Sequence, residues 1–83
     1  MASKPRNLLK RISIDPRVCG GMPRIRGHRI SVSTILDRLA GGDSPEMVLE
    51  DFPGLTTADI RACIAYGAEA ARGRLLDFPV GRG

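Results

Sequence analysis

The side chains that could support catalysis are few and widely separated. The chain has a single histidine, His28, which stands close to both Arg26 and Arg29. A catalytic histidine needs a nucleophile or an orienting carboxylate beside it. Two guanidinium groups stand beside it instead, and these do not activate it for catalysis. His28 is therefore expected to be a turn residue, and no catalytic residue is predicted.

The sequence also lacks the residue patterns of metal sites and of phosphate-binding loops. Cys19 and Cys63 are far apart and follow no paired-ligand pattern, so together with His28 they do not make a zinc site. The Gly20-Gly21 loop is followed neither by Gly-Lys-Ser/Thr nor by a helix start. The sequence predicts no cofactor, no metal and no enzyme activity.

Length and composition favour a small binding domain. The 83 residues suffice for one domain, with two Phe, one Tyr and no Trp for its core. Two isolated cysteines favour a reducing compartment. No apolar run reaches the roughly 18 residues that span a bilayer, and no signal-peptide segment follows the first residues. These features predict a cytoplasmic protein that gains stability from a second copy or a partner.

Charge is distributed unevenly along the chain. Residues 1–29 carry eight basic side chains against one acidic, a net +7, and residues 30–83 carry five basic against eight acidic, a net −3. A basic segment ahead of a mildly acidic body indicates two contact surfaces, the basic one suited to nucleic acid. The alternative is that the basic side chains only solubilise the start of the chain.

The sequence divides into a flexible basic arm over 1–10, a single domain over 11–73 and an apolar tail over 74–83. Alternating residues predict a short strand over 11–14 and a hairpin over 24–32, with apolar side chains inward and arginines in solvent. The large apolar residues of the tail are assigned to contacts with a partner protein or a second copy. They are Leu75, Leu76, Phe78 and Val80.

Three helices are predicted after the hairpin. The first spans 33–40 and is stopped by Gly41-Gly42. The second spans about 45–51 and begins at Ser44-Pro45-Glu46, a capping hydroxyl followed by proline and an acid in the first turn.

The third helix opens at Thr56 or Thr57, with Asp59 completing a capping box, and runs to about Arg72. Its expected apolar stripe is Ile60, Cys63, Ile64, Gly67 and Ala71. A second stripe consists of small residues, Ala58, Ala62, Ala65 and Ala68. This second stripe either admits another helix or simply reflects the high helix propensity of alanine.

The second and third predicted helices, with the turn over 52–55, have the proportions of a helix-turn-helix. The first turns of the third predicted helix would present Thr57, Ala58 and Arg61 to base edges or phosphates. Because this unit is acidic, much of any DNA affinity is assigned to the hairpin residues Arg24, Arg26 and Arg29. The predicted fold class is mainly α, a three-helix helix-turn-helix-like domain preceded by a short β-hairpin or β segment.

Several segments, in order and spacing, resemble the family known as domain of unknown function 433. They are Asp15-Pro16, the run Gly-Gly-Met-Pro-Arg-Ile-Arg-Gly-His-Arg-Ile-Ser-Val over 20–32, Gly42 with Ser44-Pro45-Glu46, the run Asp-Phe-Pro-Gly-Leu-Thr over 51–56, and Asp59-Ile60. The resemblance covers about residues 11–70. The chain departs from it at Met22, His28 and Ser31, where the family commonly has Lys, Thr and Pro.

Members of that family are similar to the antitoxin half of bacterial type II toxin–antitoxin pairs, often encoded beside a PIN-like ribonuclease toxin. The resemblance implies a protein that neutralises such a toxin and represses its own operon. We expect a homodimer, because symmetric half-sites give a short recognition helix its specificity. The competing hypothesis is a protein–protein adaptor of helix-turn-helix shape without DNA binding. An RNA-binding module is less favoured, because few aromatic side chains are present for base stacking.

Overall fold

Four helices and a two-stranded antiparallel sheet form the part of the chain that the computed structural model describes, residues 5–17 and 19–73. In chain order the elements are α1 (Pro5–Leu9), β1 (Ile12–Ser13), β2 (Arg24–Ile25), α2 (Val32–Ala40), α3 (Pro45–Asp51) and α4 (Thr57–Ala71). A short 3₁₀ turn, Cys19–Gly21, precedes β2. The predicted fold class is confirmed, and α1 is a helix that the sequence pattern did not predict.

Helix α4 lies at the centre of the fold, with α1, β1, α2 and α3 all packed against it. These elements share one buried core, formed by Ile12, Ile25, Val32, Ile35, Val48, Leu55, Ile60, Ala62, Cys63 and Tyr66. Helices α2 and α4 approach closely at Gly67, where a Cβ atom would lie 3.2 Å from Cδ1 of Leu36. The small residue therefore sets the spacing of these two helices.

The sheet joins the start of the domain to the hairpin. Ile12 pairs with Ile25 and Ser13 with Arg24, and a further bridge between Arg24 and Ser31 closes the predicted hairpin. Directly opposed residues share one face of a sheet, so both isoleucines enter the core together.

Two side chains depart from the predicted alternation of this segment. Ile14 is 55% exposed, because the paired part of the strand ends at Ser13. Arg24 was predicted to face solvent, but it is half-buried and donates to the carbonyl oxygen of His28 at 2.9 Å. A long arginine stem packs readily against apolar surface while its head finds a backbone acceptor.

Helix α2 begins one residue earlier than predicted, at Val32, because Ser31 is its cap. The Ser31 Oγ accepts a hydrogen bond from the Thr34 backbone N–H at 3.2 Å. The predicted stop after Ala40 is confirmed. Gly42 adopts a φ of 106°, which a residue with a side chain rarely adopts.

Helix α3 has the predicted bounds, Pro45–Asp51. The Ser44 Oγ accepts from the Met47 backbone N–H at 3.1 Å, and Pro45 follows the cap at the first helical position. Val48 is fully buried, whereas Met47 is 48% exposed. Val48 is thus the fully buried residue of α3, and Leu49 packs beside it against the core.

The capping box predicted for α4 is confirmed. Thr56 Oγ1 accepts from the Asp59 N–H at 3.2 Å, and Asp59 Oδ2 accepts from the Thr56 N–H at 2.9 Å.

The buried face of α4 differs from the predicted stripe. Ile64 is 50% exposed and Ala71 is exposed, whereas Ala62 and Tyr66 are buried. The reason is that α1 and β1 pack on α4 in addition to α2 and α3, which moves the buried face toward these elements. Of the stripe of small residues, Ala62 belongs to the core, Ala58 and Ala65 are half-buried and Ala68 is exposed.

Helix α1 lies within the segment expected to be a flexible arm. Leu8 and Leu9 are half-buried against the core, and the Arg11 N–H donates to the Leu8 carbonyl oxygen at 2.9 Å. A five-residue helix is not stable alone, so these packing contacts are what hold it. Residues 1–4 lie outside the described part of the chain.

The tail over 74–83 also lies outside the described residues, and with it Leu75, Leu76, Phe78 and Val80. Among the helices that are described, none has the length and hydrophobicity needed to cross a membrane.

Candidate nucleic-acid interface

The outer side of α4 carries the two helix residues predicted to contact DNA. Thr57 and Arg61 are both exposed and, being four residues apart, lie on the same face. Ile64 continues this face one turn further along the helix. The row offers a hydroxyl, a guanidinium and an apolar side chain, groups that can contact phosphates, guanine edges and thymine methyls. We call Thr57, Arg61 and Ile64 the α4 face.

The turn leading into α4 is held by Arg38 of α2. Its guanidinium donates to the carboxylates of Asp43 and Asp51, the latter at 2.6 Å, and lies 5.8 Å from the centre of the Phe52 ring. The hydrogen bonds to Asp43 and then to Asp51 hold the pKa of Arg38 above its usual value. Two carboxylates in or next to the helix-turn-helix unit are therefore paired with a cation inside the domain.

Arg24, one of the predicted DNA contacts, has an internal role. Its Nη1 donates to the His28 carbonyl oxygen, and its Nε is buried without a hydrogen-bond partner among the described residues. The guanidinium therefore stabilises the hairpin by binding its backbone and does not project into solvent.

Arg26 is also tied to the backbone. Its Nε donates to the Lys10 carbonyl oxygen at 2.9 Å and its Nη2 to the Ile12 carbonyl oxygen at 3.2 Å. These two bonds fix the plane of the guanidinium while the residue stays exposed. Arg26 thus fastens the hairpin to the strand and still presents charge to solvent.

Arg29 lies at the hairpin turn and is exposed. The adjacent residue, His28, occupies the turn as predicted, after Gly27 with a φ of 85°. The His28 ring packs over Gly54, where a Cβ atom would come within 3.3 Å of its Cε1. The hairpin turn therefore packs against the turn between α3 and α4.

A cationic depression of about 320 Å³ opens beside the first turn of α4. It is lined by Asn7, Lys10, Arg11, Arg26 and Asp59. Arg11 Nη1 lies 3.2 Å from Asp59 Oδ1, which joins residues 48 positions apart. An open hollow with three cations and one carboxylate attracts anions.

The five predicted DNA contacts therefore fall into separate groups. Thr57 and Arg61 share the α4 face, and Arg26 lines the cationic depression. Arg24 lies in β2 and Arg29 at the hairpin turn. Asn7, Lys10 and Arg11 were missed as site residues. The basic pair Lys10-Arg11 was a signal in the sequence, but its proximity to Asp59 arises only from the fold.

The buried polar side chains of α4 are unsuited to nucleophilic chemistry. Burial, with a smaller contribution from the Asp59 charge, raises the pKa of the Cys63 thiol to about 11, so the thiol stays protonated at neutral pH. Burial also raises the pKa of Tyr66, whose hydroxyl is buried without a partner in the described part of the chain. Tyr66 borders an apolar hollow of about 220 Å³ with Leu9, Ile12 and Ile14.

Similarity to known proteins was found at three levels. The family described as "Protein of unknown function (DUF433)" matches residues 12–67. An uncharacterised protein, y4eO, of Sinorhizobium fredii (strain NBRC 101917 / NGR234) is 36% identical over 64 residues, which is 76% of this chain but 29% of that protein. The crystal structure of a DUF433 member from Anabaena variabilis ATCC 29413 superposes with a TM-score of 0.73 at 35% identity, covering 83% of this chain and 68% of that one.

The fold and the geometry together define a small, mainly helical domain with a two-stranded antiparallel sheet ahead of a helix-turn-helix-like unit. The chain belongs to the DUF433 family, whose match covers more than half of its length. It spans less than a third of the Sinorhizobium relative.

Proposed function

We propose that this chain is a non-catalytic, cytoplasmic, antitoxin-like binding module of a bacterial type II toxin–antitoxin pair. In this role it binds and neutralises a PIN-like ribonuclease toxin, and as a homodimer it binds operator DNA to repress its own operon. The toxin role is supported by the family resemblance. The DNA role is supported by the structure of the α3–α4 unit.

One observation carries the DNA proposal: Thr57 and Arg61 stand exposed on one face at the start of a helix whose turn is held in place. Arg38 fixes the preceding turn, and the Thr56–Asp59 capping box fixes the first turn of α4. A recognition helix contacts base edges with residues of its first turns, so a rigid amino end is what this role requires.

The DNA proposal is tested by titrating the duplex that lies upstream of the gene with the full chain. Arg61→Gln is expected to weaken binding about tenfold, since a bidentate arginine contact contributes roughly 1–3 kcal/mol. Arg72→Gln is the matched control, because it removes the same charge at the far end of α4, where Arg72 pairs with Glu69. Equal weakening by both variants would reduce the role of Arg61 to general electrostatics.

The toxin proposal is tested by co-expression with the product of the adjacent gene, followed by a pull-down and a growth assay. A complex that rescues growth is expected. A double variant, Leu76→Glu with Phe78→Glu, is expected to abolish the complex while the circular dichroism spectrum of the domain is unchanged. Neither a complex nor toxicity from the neighbour would remove the antitoxin role.

A second candidate function is a protein–protein adaptor without DNA binding. The hairpin supports this candidate, because the guanidinium groups of Arg24 and Arg26 both donate to backbone carbonyl oxygens and have fewer donors left for DNA. Salt dependence separates the two candidates. A steep fall in duplex affinity with rising salt supports phosphate contacts, whereas no affinity at low salt supports the adaptor.

A further inference from the structure

The cationic depression combines charge with restricted geometry. Its walls come from distant parts of the chain: Asn7 of α1, Lys10 and Arg11 before β1, Arg26 of the hairpin and Asp59 of α4. The depression is open to solvent and has a volume of about 320 Å³. This is ample room for one tetrahedral oxyanion.

The donors of the depression are partly fixed in advance. The backbone bonds of Arg26 use its Nε and one hydrogen of Nη2, which leaves Nη1 available to an oxyanion in a guanidinium whose plane is already set. No hydrogen bond or ion pair within the described residues engages the Lys10 ammonium group, which is exposed. Pre-organised guanidinium donors bind phosphate oxygens with charge-assisted hydrogen bonds.

The one carboxylate that lines the depression is paired with a cation, so it repels an anion only weakly. Asp59 Oδ1 accepts from Arg11 and Asp59 Oδ2 from the Thr56 N–H, and the side chain is 9% exposed. Its charge is thereby matched by Arg11, and Lys10 and Arg26 remain as the net positive charge.

We infer that this depression is a binding site for a phosphate group, carried either by a nucleic-acid backbone or by a small phosphorylated molecule. Asp59 and the two DNA contacts Thr57 and Arg61 lie on roughly opposite sides of α4, at 100° per residue. The site is therefore distinct from the α4 face, and it stands whether or not that face binds DNA.

The test is an NMR titration of the ¹⁵N-labelled full chain with inorganic phosphate, at constant ionic strength maintained with sodium chloride. Saturable shifts are expected at Asn7, Lys10, Arg11 and Arg26. Lys10→Gln, which alters an exposed side chain, is expected to weaken phosphate binding about tenfold, the loss of one charge-assisted contact. Arg72→Gln, which removes one positive charge at the far end of α4, is the control and is expected to leave phosphate affinity unchanged.

A parallel titration with a short duplex of arbitrary sequence identifies the source of the phosphate. Shifts of the same resonances by the duplex, abolished by Lys10→Gln, assign the site to the nucleic-acid backbone. Shifts by inorganic phosphate without any by the duplex assign it to a small phosphorylated molecule. Absence of saturable shifts with both probes, or equal weakening by Lys10→Gln and Arg72→Gln, would overturn the inference.

Discussion

Tyr66 and Cys63 are polar side chains that the core of this domain encloses. The Tyr66 hydroxyl is buried without a hydrogen-bond partner in the described part of the chain, and the Cys63 side chain is fully buried beside Asp59. A buried polar group without a partner loses its hydration and gains nothing in return, so it lowers stability. Each group therefore gives a measurable expectation for a single substitution.

Tyr66→Phe is expected to raise the free energy of unfolding by about 1 kcal/mol, because it removes an unsatisfied hydroxyl and keeps the ring. Urea denaturation of the two proteins measures the difference. Tyr66→Ala serves as the contrast and is expected to lower stability by about 3–5 kcal/mol through the cavity it leaves. A loss of stability in Tyr66→Phe would show that the hydroxyl has a partner.

Cys63 is expected to make stability fall in alkaline solution. Its pKa is raised from 9.0 to about 11 in the folded protein, so between these values the unfolded state has lost the proton while the folded state keeps it. Rising pH therefore lowers the free energy of unfolding above pH 9, by at most about 1.4 kcal/mol per pH unit. Below pH 9 the thiol is protonated in both states, and the contribution of Cys63 to stability is fully present. Urea denaturation at pH 8, 9 and 10 measures this slope.

Cys63→Ala is the control for the alkaline measurement. It is expected to be less stable at every pH and to show a shallower decline between pH 9 and 10. An unchanged slope would assign the pH dependence to other groups, among them Tyr66, whose pKa is also raised by burial.

At the scale of elements, the amino end of α4 is bound both to its own capping residue and to the segment between α1 and β1. Asp59 caps the helix through Thr56 and pairs with Arg11, which lies between α1 and β1. The Asp59 side chain is 9% exposed, whereas the Arg11 side chain is 47% exposed, so the ion pair is partly screened by water. The capping role should accordingly contribute more than the ion pair.

Asp59→Ala is expected to lower the free energy of unfolding by about 2 kcal/mol, of which the lost cap contributes roughly 1. Arg11→Ala is expected to lower it by no more than about 1 kcal/mol, and the double variant isolates a coupling within that range. Thermal and urea denaturation of the four proteins complete the cycle. A coupling above roughly 2 kcal/mol would show that the pair acts as a buried one.

The elements predicted well are those whose signals are local. Ser44 and Thr56 cap α3 and α4 through residues three positions away, so a short stretch of sequence contains the whole interaction. By contrast, α1 owes its helix to packing on α4, and the buried face of α4 owes its position to α1 and β1. The depression likewise depends on Arg11 meeting Asp59, and no local pattern encodes a contact over that separation.

At the scale of the whole molecule, the chain divides by charge but not by packing. Its basic first third supplies α1 and both strands, and its acidic remainder supplies α2, α3 and α4. The two parts meet along α4 and share one core. Lys10, Arg11 and Arg26 of the basic part line the depression beside Asp59, at the amino end of α4.

The central position of α4 also dictates an order of assembly. Contacts among α2, α3 and α4 close short loops, whereas the docking of α1 and β1 on α4 closes a loop of 48 residues, as between Arg11 and Asp59. Longer loops carry a larger entropic penalty, so the amino-terminal segment is expected to dock last and to detach first. Native-state hydrogen exchange should then show weaker amide protection in β1 and its partner β2 than in the middle of α4. The basic edge of the domain is therefore expected to open more often than its helical body.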